Sequence, residues 1–298
     1  MLLSESRKVF RPRLKVGALV VHLVLLVLSI TALVPFVMLL SASFSTEESL
    51  GKNGYGLFPG EFSLDAYKFI FNDVGQIVNS YFITVVVSFG GSSMGLLIMS
   101  MLAFALSRRD FKLRRPLAFY VFFTMLFNGG LVPWYILITQ YLHLKNTVFA
   151  LILPYLVVPW FVLLLRTYFA GLPTELFEAA KIDGAGEWRI FFQIVVPLST
   201  PALATVGLFS LLQYWNDWWL ALLFIDDRTL YPLQYLLYTI QSNIDALSQN
   251  PDLNMGVVIP TQGVRMAMAV LAIGPIIFAF LFVQRYFVKG ITLGGIKE

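Results

Sequence analysis

The stretch VGALVVHLVLLVLSITALVPFVMLLSASFST, residues 16–46, contains no charged side chain. A helix crosses the hydrocarbon core of a bilayer with about 20 predominantly apolar residues, so this stretch is long enough to span a membrane. A basic start followed by an apolar run is also typical of a signal peptide, but this run is about twice as long as the apolar region of such a peptide. We therefore predict a first membrane helix that is retained in the protein.

Five further charge-poor runs follow, and together with the first they predict an all-α membrane protein with six transmembrane helices. The composition agrees, because 58% of the 298 residues are apolar and only 13% are charged, whereas soluble domains have about 45–50% apolar and about 25% charged residues. The mixed run 229–244 is expected to lie outside the membrane. We predict a single transmembrane domain over residues 1–298, with spans at about 17–43, 78–106, 117–139, 147–166, 199–225 and 266–285.

The distribution of basic residues predicts the orientation of the spans, because cytoplasmic loops carry an excess of Lys and Arg. With the N-terminus in the cytoplasm, sixteen of the 21 basic residues fall in inner segments, including five in 1–15 and five in 108–115. The reversed orientation would invert this bias. The sequence therefore predicts that both termini lie in the cytoplasm (N-in/C-in).

The residue inventory argues against catalysis by this chain. It contains no cysteine, which excludes a disulfide, a thiolate nucleophile and a Cys-based metal site. The two histidines, His22 and His143, fall in unrelated segments, and no metal site is predicted. The phosphate-binding pattern G-x-x-x-x-G-K-[ST] does not occur, so no nucleotide site of this type is predicted in this chain.

The inner loop between the fourth and fifth predicted spans reads LPTELFEAAKIDGAGEWRIFFQIVVP, residues 172–197. Pro173 suits the first turn of a helix. Asp183-Gly184 predicts the end of that helix, because glycine accepts the left-handed conformation, and a second helix is expected from Trp188. The loop is thus predicted to be two short helices joined by a tight turn. An ordinary amphipathic connector fits the same pattern.

The loop also carries a family resemblance. Glu178–Ala180, followed by Gly184 and then by Ile194 and Pro197, resembles the EAA loop of ABC-importer permeases. Asp183-Gly184-Ala185 and Pro201 are similar to the carbohydrate branch, and FNGGLVP at 127–133 is similar to permeases for lipo-oligosaccharides and polysaccharide fragments. The resemblance covers nearly the whole chain, and implies the type I permease fold and the smaller permease of a maltose-type importer.

The resemblance implies a division of labour in the bacterial inner membrane. This chain would form half of the translocation pathway for an oligosaccharide and bind no cofactor. Its partners would be a second, larger permease, an extracytoplasmic solute-binding protein, and two ATP-binding subunits that hold ATP and Mg²⁺; no nucleic acid is involved. The alternatives are an amino-acid or ion ABC permease and a secondary carrier or channel that needs no ATPase.

Within the loop, the resemblance assigns a set of residues to ATPase coupling. Glu178 is expected to pair with a basic group of the ATPase, while the small residues allow close approach. Trp188, Phe191 and Phe192 are expected to hold the second helix against the permease core. The assigned residues are Glu178, Ala179, Ala180, Asp183, Gly184, Ala185, Trp188, Phe191, Ile194 and Pro197.

The substrate path is predicted near the outer end of the fifth span. Asp217 is the one clear charged residue within a span, and such residues usually face a cavity. An aromatic belt at the membrane interface is the alternative. Because no Lys or Arg lies in the middle of a span, neutral and acidic sugars both remain possible. The candidate path residues are Gln213, Tyr214, Asn216, Asp217 and Trp218.

A second polar pattern predicts helix packing instead. Thr84, Ser88 and Ser92 recur every four residues and are followed by Gly95. Small residues on one face of a membrane helix are typical of close helix contacts.

Overall fold

A computed structural model describes residues 16–249 and 260–294. Within these ranges the regular secondary structure is helical, with loops between the helices and one isolated β-bridge between Ser45 and Phe62, which confirms the all-α prediction. The basic residues of 1–15 and Lys297, which contribute to the predicted orientation, lie outside the described residues. The N-in/C-in orientation and the single-domain boundaries therefore stay predictions.

Fifteen α-helices are present in the described residues. They are α1 Val16–Ser43, α2 Glu47–Asn53, α3 Asp65–Ile70, α4 Val74–Ser107, α5 Arg114–Leu126, α6 Leu131–Ile136, α7 Val148–Ile152, α8 Pro159–Ala170, α9 Thr174–Ile182, α10 Glu187–Ile190, α11 Val196–Leu198, α12 Thr200–Trp215, α13 Trp219–Phe224, α14 Leu233–Gln249 and α15 Thr261–Gly294. Single π-helical turns extend α6 to Tyr141 and join α10 to α11.

Three helices of the described chain are long and apolar enough to cross a membrane alone, at Gly17–Ser43, Asp65–Ser107 and Thr261–Phe278. Three further candidates are helix pairs with a bend between them, which brings the number of candidate spans to as many as six. The bends measure 114° after Leu126, 47° after Tyr155 and 84° after Leu198.

Glycines and side-chain caps cause two of the interruptions. After α5, Gly130 adopts φ +90°, which favours glycine, and its N–H donates to Asn128 Oδ1 at 2.8 Å. After α12, the N–H of Leu220 donates to Asp217 Oδ2 at 3.0 Å, which satisfies a free donor at the start of α13. The predicted spans 117–139 and 199–225 are therefore each interrupted rather than continuous helices.

The described chain forms two compact units. The first contains the residues up to Phe69 together with Pro260–Val270. In it the carboxylate of Glu47 accepts hydrogen bonds from Thr261 Oγ1 at 2.8 Å and from the N–H groups at the start of α15, at 3.1 Å from Gln262 and 3.3 Å from Gly263. The first N–H groups of a helix have no partner within the helix, so this carboxylate caps α15.

The second unit, Ile70–Ile259 with the residues from Leu271, is built around α4. One face of α4 packs against α8 and α12. A Cβ atom at Gly91 would lie 2.6 Å from the ring of Tyr214, and one at Gly95 would lie 2.8 Å from the carbonyl oxygen of Leu156. Thr84, Ser88 and Ser92 are buried on the same helix, so the predicted close packing is confirmed.

Replacing Gly95 by alanine should destabilise the protein by about 1–3 kcal/mol, because the added methyl group meets the backbone of Leu156 rather than a side chain that could rotate away. Gly90 on the same helix provides the matched control, since a Cβ there meets nothing within 4 Å among the described residues. We expect Gly90→Ala to be neutral or slightly stabilising, because alanine has the higher helix propensity. Melting temperatures of the purified protein measure both effects, and equal melting of the two variants would contradict the packing argument.

Candidate coupling loop and transport path

The coupling loop consists of α9, a tight turn and α10. The N–H of Ala185 donates to the carbonyl of Ala180 at 2.9 Å, and the N–H of Gly184 donates to that of Lys181 at 3.0 Å. This pair of bonds is the Schellman motif, which needs a left-handed residue at its fifth position. Gly184 has φ +79°, so the helix stop predicted at Asp183-Gly184 is confirmed.

One face of this loop is buried in the core of the second unit. Phe177 and Ala180 of α9 pack there with Ile190, Phe191 and Val195. Ala180 is only 9% exposed, so it belongs to the buried face of the loop, and its predicted part in coupling stays a prediction. Its side chain faces inward because α9 places it beside Phe177. Ala185 and Ile194 are half-buried against the same core.

The other face of the loop is exposed. Ile182 at the end of α9 is 86% exposed, and Trp188 is 65% exposed. Trp188 stacks on exposed Phe192, with ring centroids 6.2 Å apart, so the expectation that these two rings hold the helix against the core is wrong. Residues four apart share a helix face. Trp188 and Phe192 therefore lie on the exposed face, and Phe191 is the one of these three aromatic residues that points inward. The remaining exposed residues of the predicted set are Glu178, Ala179, Asp183, Gly184 and Pro197.

Arg108, at the end of α4, anchors α9. Its guanidinium carbon lies 4.8 Å from the ring centroid of Phe177 on α9 and 5.8 Å from that of Phe104 on α4. A guanidinium within about 6 Å of an aromatic face is attracted to it. The Arg108 side chain is only 14% exposed. In the sequence, Arg108 belongs to a basic run and, with Arg109 at the end of the second span, to the family resemblance, but neither feature indicated this contact.

An ion-pair chain continues from Arg108. Asp110 Oδ2 accepts from Arg108 at 3.3 Å and from Lys181 at 2.8 Å, and Lys181 also contacts Glu187 Oε1 at 3.1 Å. The hydrogen bond from Lys181, helped by Arg108, lowers the pKa of Asp110 to about 2, so the carboxylate stays ionised throughout the neutral range. The hydrogen bonds of Lys181 to Asp110 and Glu187 raise the pKa of Lys181. These pairs connect the end of α4 to both helices of the loop.

The predicted path residues occupy different environments. Tyr214 is 2% exposed and donates to the carbonyl of Ile152 at 2.7 Å. Its ring fills the space left by Gly91, so its side chain packs between helices here, and its place on the path stays a prediction. Asp217 is half-buried and accepts from Tyr155 Oη at 2.9 Å. Gln213 is half-buried, whereas Asn216 is exposed.

Trp218 is the aromatic residue of the predicted set that remains exposed. It stacks on Tyr238 of α14, with centroids 4.5 Å apart, and lies at right angles to Trp219. Trp219 is 40% exposed. The sequence indicated Trp219 as one of the aromatic residues that surround the candidate path, although it is outside the candidate set itself.

Comparison with known proteins identifies the family of this chain and several of its relatives. Residues 8–293 match the family described as binding-protein-dependent transport system inner membrane component. The polygalacturonan/rhamnogalacturonan transport system permease protein YtcP of Bacillus subtilis (strain 168) is 38% identical over 92% of this chain and 95% of its own length. The arabinooligosaccharides transport system permease protein AraQ of Halalkalibacterium halodurans is 35% identical over 89% of this chain and 91% of its own length.

A solved structure agrees with these relatives. A chain from the crystal structure of a bacterial ABC transporter involved in the import of the acidic polysaccharide alginate has a TM-score of 0.77, with 26% sequence identity over 91% of this chain and 96% of that chain. The fold is that of a type I ABC importer permease, a multi-pass component of the inner membrane that is not itself catalytic. The resemblance drawn from the EAA loop is confirmed: the chain belongs to the binding-protein-dependent inner-membrane permeases of ABC importers.

Proposed function

We propose that this chain forms half of the translocation pathway for an oligosaccharide and couples it to ATPase subunits through the α9–α10 loop. The names of its relatives support a carbohydrate cargo, since they refer to polygalacturonan, arabinooligosaccharides and alginate. The assembly would contain a second permease, two ATPases that bind ATP and Mg²⁺, and an extracytoplasmic binding protein. Membership of the binding-protein-dependent family supports these partners.

The observation that carries the coupling role is the two-sided loop. Its inner face is buried in the permease core, while α9 exposes Glu178, Ala179 and Ile182, which we call the docking face. We infer that another subunit covers Ile182, which is 86% exposed on a helix that Phe177 and Ala180 anchor. Glu178 would pair there with a basic group of the ATPase, and Ala179 would allow close approach.

Motion of the docking face has a direct route into the permease. Phe177, on the same helix, contacts Arg108 at the end of α4. α4 has 34 residues, a length of about 50 Å, and it packs along α8 and α12. A displacement of α9 would therefore shift the helices that lead to Trp218, and ATPase closure would in this way change access to the path.

Replacing Ile182 by aspartate should reduce both ATPase co-purification and sugar-stimulated ATP hydrolysis about tenfold or more, because a charge replaces an apolar contact at the centre of an interface. Phe58 provides a matched control: it is 85% exposed, close to the 86% of Ile182, but lies in the loop between α2 and α3. Phe58→Asp should co-purify the ATPase normally. Sugar uptake that needs neither a bound ATPase nor ATP would contradict the proposal and indicate a secondary carrier.

A further inference from the structure

A cavity of about 590 Å³ lies where α5 ends and α6 begins. Its volume falls in the range of about 300–1,000 Å³ that is typical of small-molecule sites. None of the described residues that line it carries a charge. They are Asn128, Gly129, Gly130, Leu131, Pro133, Trp134, Leu137 and Trp219.

Two packed helices hold the aromatic walls of this cavity. Trp134 and Tyr135 of α6 contact the ring of Phe224 on α13, with centroids 5.1 and 5.8 Å apart. Trp219 is the first residue of α13, and 40% of its surface remains exposed. The indole of Trp219 is therefore presented from a fixed helix rather than from a loop.

The polar side of the cavity comes from the break between α5 and α6. Asn128 Oδ1 accepts from the N–H of Gly130, which leaves its amide Nδ2 without a hydrogen-bond partner among the described residues. A Cβ atom at Gly129 would meet nothing within 4 Å there, so the glycine leaves open space next to this amide. A ligand in the cavity thus meets an aromatic face and a free N–H donor.

We propose that this cavity binds one sugar ring of the transported oligosaccharide. The C–H face of the ring would stack on the indole of Trp219, and a ring hydroxyl would accept from Asn128 Nδ2. This combination suits a sugar because its ring has apolar faces and a polar edge. The inference rests on the proposed importer function and adds a specific subsite to it.

The absence of charge along the cavity defines what the subsite recognises. The described lining residues include no Lys or Arg, so the subsite contacts the face of a sugar ring and does not bind a carboxylate. An acidic sugar and its neutral ester should therefore bind there about equally. The carboxylates of an acidic cargo would be met elsewhere in the assembly.

Equilibrium dialysis tests the subsite by measuring the affinity of the membrane complex, which consists of the two permeases and the two ATPases, for trigalacturonate and for its methyl ester. The binding protein is left out so that only sites in the membrane complex are measured. We expect Trp219→Leu to weaken binding of both probes about tenfold, because it removes the stacking surface. Trp219→Phe should retain most of the affinity. Gly129→Leu should weaken binding similarly by filling the cavity, whereas Gly51→Leu, which also enters open space but on α2, should not.

Several outcomes would overturn the subsite. One is unchanged binding of both probes by Trp219→Leu and Gly129→Leu. Another is a loss confined to the free acid. A third is a bound phospholipid, detected by mass spectrometry, that Trp219→Leu loses while sugar binding persists. The proposed function fails separately, if sugars delivered by the binding protein do not stimulate ATP hydrolysis by the wild-type complex.

Discussion

Replacing Gly184 by valine is expected to lower sugar-stimulated ATP hydrolysis and uptake about tenfold or more while the complex still assembles. Gly184 has φ +79° in the turn between α9 and α10. An L-residue in this left-handed conformation costs roughly 1–2 kcal/mol, and a β-branched side chain is among the least tolerated. The chain can relieve that strain only by changing the turn, which would displace the docking face from its anchored position.

The loop offers controls that separate backbone strain from added bulk. A Cβ atom at Gly184 meets nothing within 4 Å among the described residues, so valine should act through the backbone alone. Asparagine tolerates the left-handed region, and Gly184→Asn should retain most of the coupling. Gly186 has φ −73° and equally open surroundings, so Gly186→Val adds the same bulk without strain.

The measurement is the ratio of stimulated to basal ATP hydrolysis in reconstituted vesicles, together with the amount of ATPase that co-purifies. If Gly186→Val lost as much stimulation as Gly184→Val, bulk at the ATPase contact would explain the loss rather than strain. Normal stimulation in Gly184→Val would mean that the turn does not set the position of the docking face.

Features that depend on local chemistry were predictable from the sequence. The end of α9 follows from the ability of Gly184 to adopt the left-handed conformation. The close approach of helices at Gly95 follows from the small residues around it. The membrane class and the family followed from apolar run length and from the EAA loop. Each of these signals lies within a short segment and needs no knowledge of distant contacts.

Features that depend on which helix face meets the core were not predictable. In the loop, apolar residues occur on both faces of α10, so composition could not tell buried Phe191 from exposed Trp188. Tyr214 belonged to an aromatic cluster, and only the contact with Gly91 on a distant helix shows that it is a packing residue. The interruptions near Gly130 and Asp217 were also missed, since bent and straight helices have the same apolar composition.

Replacing Arg108 by alanine is expected to lower stimulated ATP hydrolysis about tenfold and to destabilise the protein by about 2 kcal/mol, through lost cation–π contacts and lost packing of its aliphatic stem. Its guanidinium lies near the rings of both Phe104 and Phe177, and its pair with Asp110 continues to Lys181 on α9. Without it, α9 would keep its apolar anchors but lose the cation–π contact between Arg108 and Phe177.

Arg109 is the matched control, because it is the neighbouring basic residue and is exposed. Arg109→Ala should melt and hydrolyse ATP like the wild type, while Arg108→Lys should be intermediate, since lysine keeps the charge and stem but lacks the planar group. Melting temperature and stimulated ATP hydrolysis are measured on the same preparations. Indistinguishable Arg108→Ala and Arg109→Ala variants would refute the anchoring role.

The variant Arg108→Met separates the effect of Arg108 on stability from its effect on coupling. Arg108 Nε is buried and has no hydrogen-bond partner among the described residues, so the guanidinium carries a desolvation cost that an apolar side chain of similar length avoids. We expect Arg108→Met to melt no lower than the wild type, because the rings of Phe104 and Phe177 stay covered. Its stimulated ATP hydrolysis should still fall, because the ion pair between Arg108 and Asp110, which continues to Lys181 on α9, is lost. A stable but poorly coupled variant would mean that the charge transmits motion, whereas full activity would mean that apolar packing alone is sufficient.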